Sequence, residues 1–291
     1  MQTPGFLIKL LSDPPPRFAF EVSESGIAAA RIGAPPEIGF QPLDADVISV
    51  SPVEDNILRP EALAERVRAL APRGEKKRVR AALILPDHAV RVSVLDFDAF
   101  PDDPRHQLPL VRFRLKKSLP FDIDAAALSY YAQPNGQRVD VVVAAAPLEM
   151  LSRYEAPFRA AGFHPGLVTT STLCALRMAP GDGVAVVAKR SSHALTLAVL
   201  AGGVLKLLRS IELSDGGAEE VASHLYPTFA YMEDQLGRRP EEVLTCGFGR
   251  ASEDLAAEVG QPCIALRSRY GLPDQFNAGL LGYLEGLEAI Q

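Results

Sequence analysis

Residues 82–97 read ALILPDHAVRVSVLDF. An unbroken apolar run stops at Pro86, and a valine-rich run ends at Asp96-Phe97. Short runs of branched residues on either side of Pro86-Asp87-His88 predict a pair of strands. Working outward, the same strand, turn, strand pattern recurs. RFAFEV and IAAARI flank SESG at 23–26, and DIDAAALSYYAQ and RVDVVVAAA flank Asn135-Gly136. VAVVAKRSSHALTLAVLAGGVLKLLRSI at 184–211 supplies two or three strands, with Lys189-Arg190-Ser191-Ser192 as the first loop.

Helical spacing fills the intervals. Leu63, Val67 and Leu70 recur after Pro60, and Leu108, Val111 and Leu115 follow Asp102-Asp103-Pro104 in a helix running to about Lys117. Leu151, Tyr154, Phe158 and Ala161 mark a third helix that stops at Gly162. A Pro- and Gly-rich loop is expected up to Leu43, a short strand near Leu167-Val168, and a helix over 171–178. Pro180-Gly181-Asp182-Gly183 reads as a lobe boundary. Beyond it come a long helix at 217–236, a strand, glycine turn and helix in EEVLTCGFGRASEDLAAEVG, a strand at 263–266 and a helix at 277–287. Each half opens on antiparallel strands and then adds a helix, so an internal duplication is expected.

With 291 residues the chain exceeds what one core usually supports, which predicts two linked lobes. A net charge of −6 argues against binding nucleic acid through a general electrostatic footprint, which needs clustered cations. Cys174, Cys246 and Cys263 are odd in number and far apart, and they read as reduced, buried thiols. The start MQTPGFLIKLLSDPPP has an apolar stretch broken by Lys9 and no small-residue cleavage site, unlike a secretion signal. The near-apolar run at 194–205 is interrupted by Gly202-Gly203 and is shorter than the roughly 18 residues of a membrane helix.

Three stretches taken together carry a family resemblance: ALILPDHAVRVSVLDF, LVRFRLKKSLPFDIDAAALSYYAQ, and RVDVVVAAAPLEMLSRYEAPFRAAGFHPGLVTTSTLCALRM. In this order they resemble the type IV pilus assembly protein PilM family of the actin-like ATPase superfamily, over about residues 17–290. The resemblance implies an α/β, two-lobed actin-like fold, ribonuclease H-like and duplicated, with an inserted α/β subdomain. It also implies a reduced second lobe, because almost nothing separates Ile211 from the long helix. The implied boundaries are 17–77 plus 165–180 for the first lobe, 78–164 for the inserted subdomain and 181–291 for the second lobe. The family further implies a cytoplasmic scaffold, peripheral to the inner membrane, in a type IV pilus or type II secretion-like platform. Its partner would be the N-terminal cytoplasmic segment of a PilN-like inner-membrane protein, with no nucleic acid involved. Docking is expected between the first lobe and the inserted subdomain, at Val111, Arg112, Leu115, Leu119 and Phe121, where apolar side chains lie beside cations. The same residues read equally well as an ordinary helix core with cations that complement the helix dipole.

Actin-like ATPases place an acid and glycines in two hairpins, because carboxylates hold Mg²⁺ or its waters while backbone N–H groups grip phosphate. Here Glu21-Val22-Ser23-Glu24-Ser25 stands where the resemblance leads one to expect Asp-Ile-Gly-Ser, and Ala28 stands near the usual lysine. The second hairpin holds neither an acid nor a glycine between Val184 and Ser192. Lys189, Arg190 and Ser191 attract phosphate but cannot ligate Mg²⁺, which wants hard oxygen donors. Gly247 and Gly249, in Thr245-Cys246-Gly247-Phe248-Gly249, resemble the adenosine-side turn and equally a plain strand-to-helix turn. The expectation is therefore a nucleotide-site remnant of Glu21, Ser23, Lys189, Arg190, Ser191, Gly247 and Gly249, with no catalytic residue, metal or cofactor. The alternative is an ATP-binding switch or weak ATPase that uses Mg²⁺, Glu21 and the Lys189/Arg190 loop. Ser191, Ser192 and His193 lack a nucleophile elbow, which disfavours a hydrolase.

Overall fold

The computed structural model describes residues 16–72 and 78–288. The reading of the N-terminal stretch at 1–15 and the lobe boundary at 77 fall outside the described residues.

Phe18–Ser23 (β1) and Gly26–Arg31 (β2) form the first expected hairpin, and Glu37–Pro42 (β3) extends it antiparallel along β2. The sequence reading has only a loop there, because an edge strand with almost every side chain exposed carries no apolar alternation. Val79–Leu85 (β4) runs parallel to β1 on its other side. The next strand, Arg91–Phe97 (β5), does not pair with β4 as the sequence reading has it. It joins Ala126–Asn135 (β6) and Arg138–Pro147 (β7) in a separate antiparallel sheet ordered β5-β7-β6. Burial explains the parting. β4 is buried at six of seven positions, as a central parallel strand must be, whereas β5 is only half buried. Phe163–Thr170 (β8) then returns beside β4, completing the order β3-β2-β1-β4-β8.

The second lobe repeats this plan. Val184–Ser191 (β9), Ala194–Ala201 (β10) and Val204–Glu212 (β11) form an antiparallel meander. Val243–Cys246 (β12) and Cys263–Ala265 (β13) add in parallel, giving β11-β10-β9-β12-β13. Two sheets of the same order and sense are the expected duplication, and the whole is the two-lobed actin-like architecture with an inserted subdomain. In the second lobe β11 leads through a short turn at 213–217 into the long helix.

Seven α-helices are described. Pro60–Ala69 (α1) and Leu148–Ala160 (α3) cover one face of the first sheet, while Pro104–Leu115 (α2) covers the inserted sheet. Ser171–Ala175 (α4) follows β8, Ala218–Leu236 (α5) and Ala251–Val259 (α6) serve the second lobe, and Ala278–Glu288 (α7) ends the described chain. Two expected boundaries change. The inserted subdomain spans 91–147 rather than 78–164, because β4 is central to the first sheet and α3 packs Met150, Tyr154 and Phe158 against Phe20, Leu63 and Phe163. The second lobe does not keep its last helix either, since α7 crosses back to the first.

The period of two along β1 makes that crossing possible. Phe18, Phe20 and Val22 fill the core beneath α1 and α3, while Ala19, with Ala28, Ala30 and Ala82, leaves a shallow opposite face. Onto it α7 lays Leu280, Tyr283, Leu284 and Leu287, each leucine contributing roughly 1.5–3 kcal/mol by leaving water. Two glycines let the helix approach α4 backbone to backbone. A Cβ at Gly279 would lie 2.7 Å from Ser171 Cα, and one at Gly282 would lie 2.3 Å from the Cys174 carbonyl oxygen. Gly282→Val is expected to cost about 1–3 kcal/mol of stability by forced separation of the helices. Gly181→Ala, which meets nothing within 4 Å, should stay within about 0.5 kcal/mol; urea denaturation of both variants checks this.

Candidate functional site

The carboxyl ends of β1, β4 and β9 converge between the lobes, where α/β sheets usually bind ligands. β1 brings Glu21 there, the turn after β4 brings Asp87, and β9 brings Lys189; their exposures are 2%, 3% and 1%. The Lys189 ammonium lies 3.0 Å from Asp87 Oδ2 and donates to Ser191 Oγ at 2.5 Å. Asp87 also accepts from the Thr172 amide at Oδ1 and the Thr172 hydroxyl at Oδ2, both at 2.6 Å. Glu21 accepts the Ser171 hydroxyl at Oε1 and the Leu280 amide at Oε2, the latter at 2.7 Å. Ser171 and Thr172 open α4, and Leu280 sits in the first turn of α7, so the backbone contact between those helices aims four of these donors.

Burial sets the electrostatics. It pushes the Glu21 pKa up toward the neutral acid, against the opposing pull of Lys189, Ser171 and the Leu280 and Gly279 amides. Burial alone would lower the Lys189 pKa, but Asp87 and then Glu21 more than offset it, and the ammonium is held above its ordinary range. Lys189 makes its ion pair with Asp87, and Glu21 adds a weaker attraction for the same ammonium.

Duplication explains why these side chains meet. Ser23 and Ser191 each end the first strand of a hairpin and precede a two-residue turn. Two positions earlier on each strand stand Glu21 and Lys189, so equivalent sites in the two lobes carry opposite charges and face each other. The expected Lys189-Arg190-Ser191-Ser192 loop is therefore mostly strand, with the turn at Ser192-His193, where Ser192 takes a left-handed φ of 49°. Lys189 is not a solvated cation available to phosphate.

The structure brings Glu21, Lys189 and Ser191 together, leaves Ser23 lining the same cleft, and commits Arg190 and the two glycines to other contacts or turns. Arg190, one residue on, points away and donates to the Gly216 carbonyl at 3.1 Å. Ser23 turns its hydroxyl onto the Gly26 carbonyl within its own hairpin, at 3.0 Å. Gly247 has φ +79°, a Cβ there would lie 2.3 Å from the Arg190 carbonyl oxygen, and its own carbonyl accepts from Gln275 Nε2. Gly249 has φ +54° beside open space. Both glycines thus have a backbone reason to be there. Sequence reading passed over Asp87 and Thr172. The available signal was the position of Asp87, directly after an apolar strand at the carboxyl end of a parallel sheet.

The fold implies a metal-bound nucleotide here, and the residues do not fit one. Both carboxylates are already engaged by donors of the chain, and an ammonium lies against Asp87 where a cation would go. Among the described residues no cluster of three His, Cys, Asp or Glu side chains could hold a metal ion. The remaining cleft, lined by Ser23, Asp87, His88, Ser191, His193 and Gln275 among others, measures about 100 Å³, below the 300–1,000 Å³ typical of small-molecule sites.

A larger groove lies between the inserted subdomain and the first lobe. It measures about 450 Å³ and is lined mostly by apolar residues, including Leu128, Tyr131, Val142 and Ala144 of the inserted sheet and Leu151, Val168 and Leu173 of the lobe. Its walls include β6 and β8, each an edge strand of its sheet. The expected docking helix is on the other side of the inserted sheet. Val111 and Leu115 are 0% and 1% exposed and pack with Val141 and Val143, whereas Val142 and Ala144 point toward the lobes. Leu119 packs on that same core, Phe121 is half-buried beyond it, and Arg112 is tied to the Ile123 carbonyl and Asp124. The core reading of Val111, Leu115 and Leu119 therefore holds for the unbound chain. Among large apolar side chains, α2 instead exposes Phe113, at 77%, and Leu108.

The inserted subdomain is also clamped to the second lobe. Gln133 exchanges two 3.1 Å hydrogen bonds with the Leu205 backbone, and its cross-strand neighbour Asp140 pairs with Lys206 at 2.7 Å. Gln133→Leu leaves the Leu205 N–H and C=O unmet and is expected to cost about 1–3 kcal/mol in urea denaturation. Alkaline titration checks the cleft. Lys189 acquires its raised pKa only on folding, so its contribution is fully present below the unfolded value of 10.5 and is lost as pH rises through the folded value. The stability gap between the native chain and Lys189→Met should be flat from about pH 7 to about pH 9.5 and shrink above that.

No family model matches the chain, and no curated protein matches it in sequence. Solved structures do. A chain of the PilM-PilN type IV pilus biogenesis complex superposes over 96% of this chain and 100% of its own, with a TM-score of 0.74 at 18% identity. The cytoplasmic domain of EpsL, an inner-membrane component of the type II secretion system of Vibrio cholerae, gives 0.55 at 12% identity over 93% and 94%. A Bacteroides thetaiotaomicron protein of unknown function with an actin-like ATPase fold gives 0.52 at 10% identity over 85% and 89%. The chain has an actin-like fold of the kind seen in the PilM-PilN complex, built around a cleft whose cation is its own lysine.

Proposed function

We propose that the protein is a scaffold of a type IV pilus or type II secretion-like assembly platform. It works at the cytoplasmic face of the inner membrane by binding the N-terminal cytoplasmic segment of a PilN-like partner. The observation that carries this reading is the 450 Å³ groove between the first lobe and the inserted subdomain, apolar and bounded by two edge strands. An extended apolar segment suits it: unpaired strand edges offer backbone hydrogen bonds, and alternate side chains enter the apolar floor. The similarity of fold to a chain of the PilM-PilN complex and to the EpsL domain supports the choice of partner. No helix of the described residues is long and apolar enough to cross a membrane, which fits attachment through a partner.

This reading moves the docking site from the α2 set of Val111, Arg112, Leu115, Leu119 and Phe121 to the opposite face of the same sheet. The engaged carboxylates of the cleft support a role without nucleotide hydrolysis, and no observation favours the ATP-dependent switch. Fluorescence anisotropy with a labelled N-terminal peptide of the PilN-like protein from the same genome tests the assignment. Binding is expected with a Kd on the order of micromolar and a loss of about tenfold or more in Ala144→Trp, which fills the groove. Phe113→Ala, on the far side, should change affinity by less than about twofold. Absence of binding at about 100 µM peptide, or the reverse response of the two variants, overturns the reading.

A further inference from the structure

Three observations bear on what holds the lobes together. First, the duplicated hairpins place a carboxylate, Glu21, and an ammonium, Lys189, at equivalent positions on opposite sides of the cleft. Second, Lys189 crosses from the second lobe to reach Asp87, at the end of a first-lobe strand, and is 1% exposed there. Third, every oxygen of the two first-lobe carboxylates accepts from a donor of the chain. The walls of this cleft therefore carry opposite charges, and they attract each other with no bridging cation.

We propose that the Lys189 ammonium is a built-in cation, occupying from within the chain the position between the lobes that a metal-bound nucleotide would need, so that the lobes are held closed without a ligand. The Gln133 and Asp140 clamp on Leu205 and Lys206 acts in the same sense from the inserted subdomain. A core shared by Val142, Leu173, Val187, Leu205 and Ala278 runs continuously through the joint. Closure then becomes a constant property of the fold and ceases to be a switched one. Binding of a peptide in the groove enters none of the measurements below, so this inference and the proposed function fail independently.

The experiment uses the full chain with spin labels at Glu61→Cys on α1 and Glu253→Cys on α6, both exposed, in a Cys263→Ser background. Double electron–electron resonance reads the distance between the lobes. Without Lys189→Met the distance distribution should be single, and millimolar Mg²⁺ with ATP should change neither it nor the melting temperature. A shift of either on adding Mg²⁺ and ATP overturns the proposal. Lys189→Met should lower the melting temperature by about 5–15 °C, as expected for an orphaned buried carboxylate, and lengthen or broaden the distance; an unchanged distance overturns it. If that variant does not fold, Lys189→Met/Asp87→Asn removes both charges and should recover at least about half of the lost folded yield. Failure of the neutral pair to recover also overturns the proposal.

Discussion

A lysine ammonium with almost no contact with water must find its counter-charge inside the protein, and in this chain it lies in the other lobe. Stripping a charge of its hydration costs several kcal/mol, and only a close, well-bonded partner offsets that. Asp87 is that partner, itself fixed by the amide and hydroxyl of Thr172. Thr172 is positioned by the short helix that follows β8, and that helix is held by the backbone contact with α7 through Gly279 and Gly282. The packing of a C-terminal helix against an alanine-lined sheet face therefore decides whether a buried charge in the opposite lobe is tolerated.

The same arrangement accounts for how the two regions between the units differ. The cleft between the lobes is small, polar and already satisfied by its own side chains. The groove beside the inserted subdomain is larger and apolar, and its edge strands have hydrogen-bonding directions that no strand of their own sheet fills. Exposed strand edges are normally blunted with charge or covered. Here they border an apolar groove of about 450 Å³, larger than the cleft of about 100 Å³, which is the physical ground for proposing the groove, and not the cleft, as the place where a partner sits.

Much of the fold was legible in the amino-acid sequence. Hairpins at 17–32, 122–146 and 184–201 announced themselves by apolar runs around turn residues, and the helices by their spacing. The hidden elements share a cause. β3 exposes nearly all its side chains, and only its ladder with β2 identifies it as a strand. β4 and β5 look like neighbours because they are adjacent in sequence, yet one is buried on both faces and the other on one. The order of strands in a sheet is a long-range property that periodicity does not encode.

For the site, the sequence by itself determined the altered chemistry: a glutamate and a serine in the first hairpin, and a lysine with neither acid nor glycine in the second. Residue types suffice for that, because donors and acceptors are properties of side chains. Only the tertiary structure decided where those groups point. It turned Arg190 away and Lys189 inward by strand alternation, brought Asp87 to the ammonium from 102 residues away in the chain and Thr172 to Asp87, and committed Val111 and Leu115 to a core. Contacts of that kind depend on which elements pack together, and packing is settled by the chain as a whole.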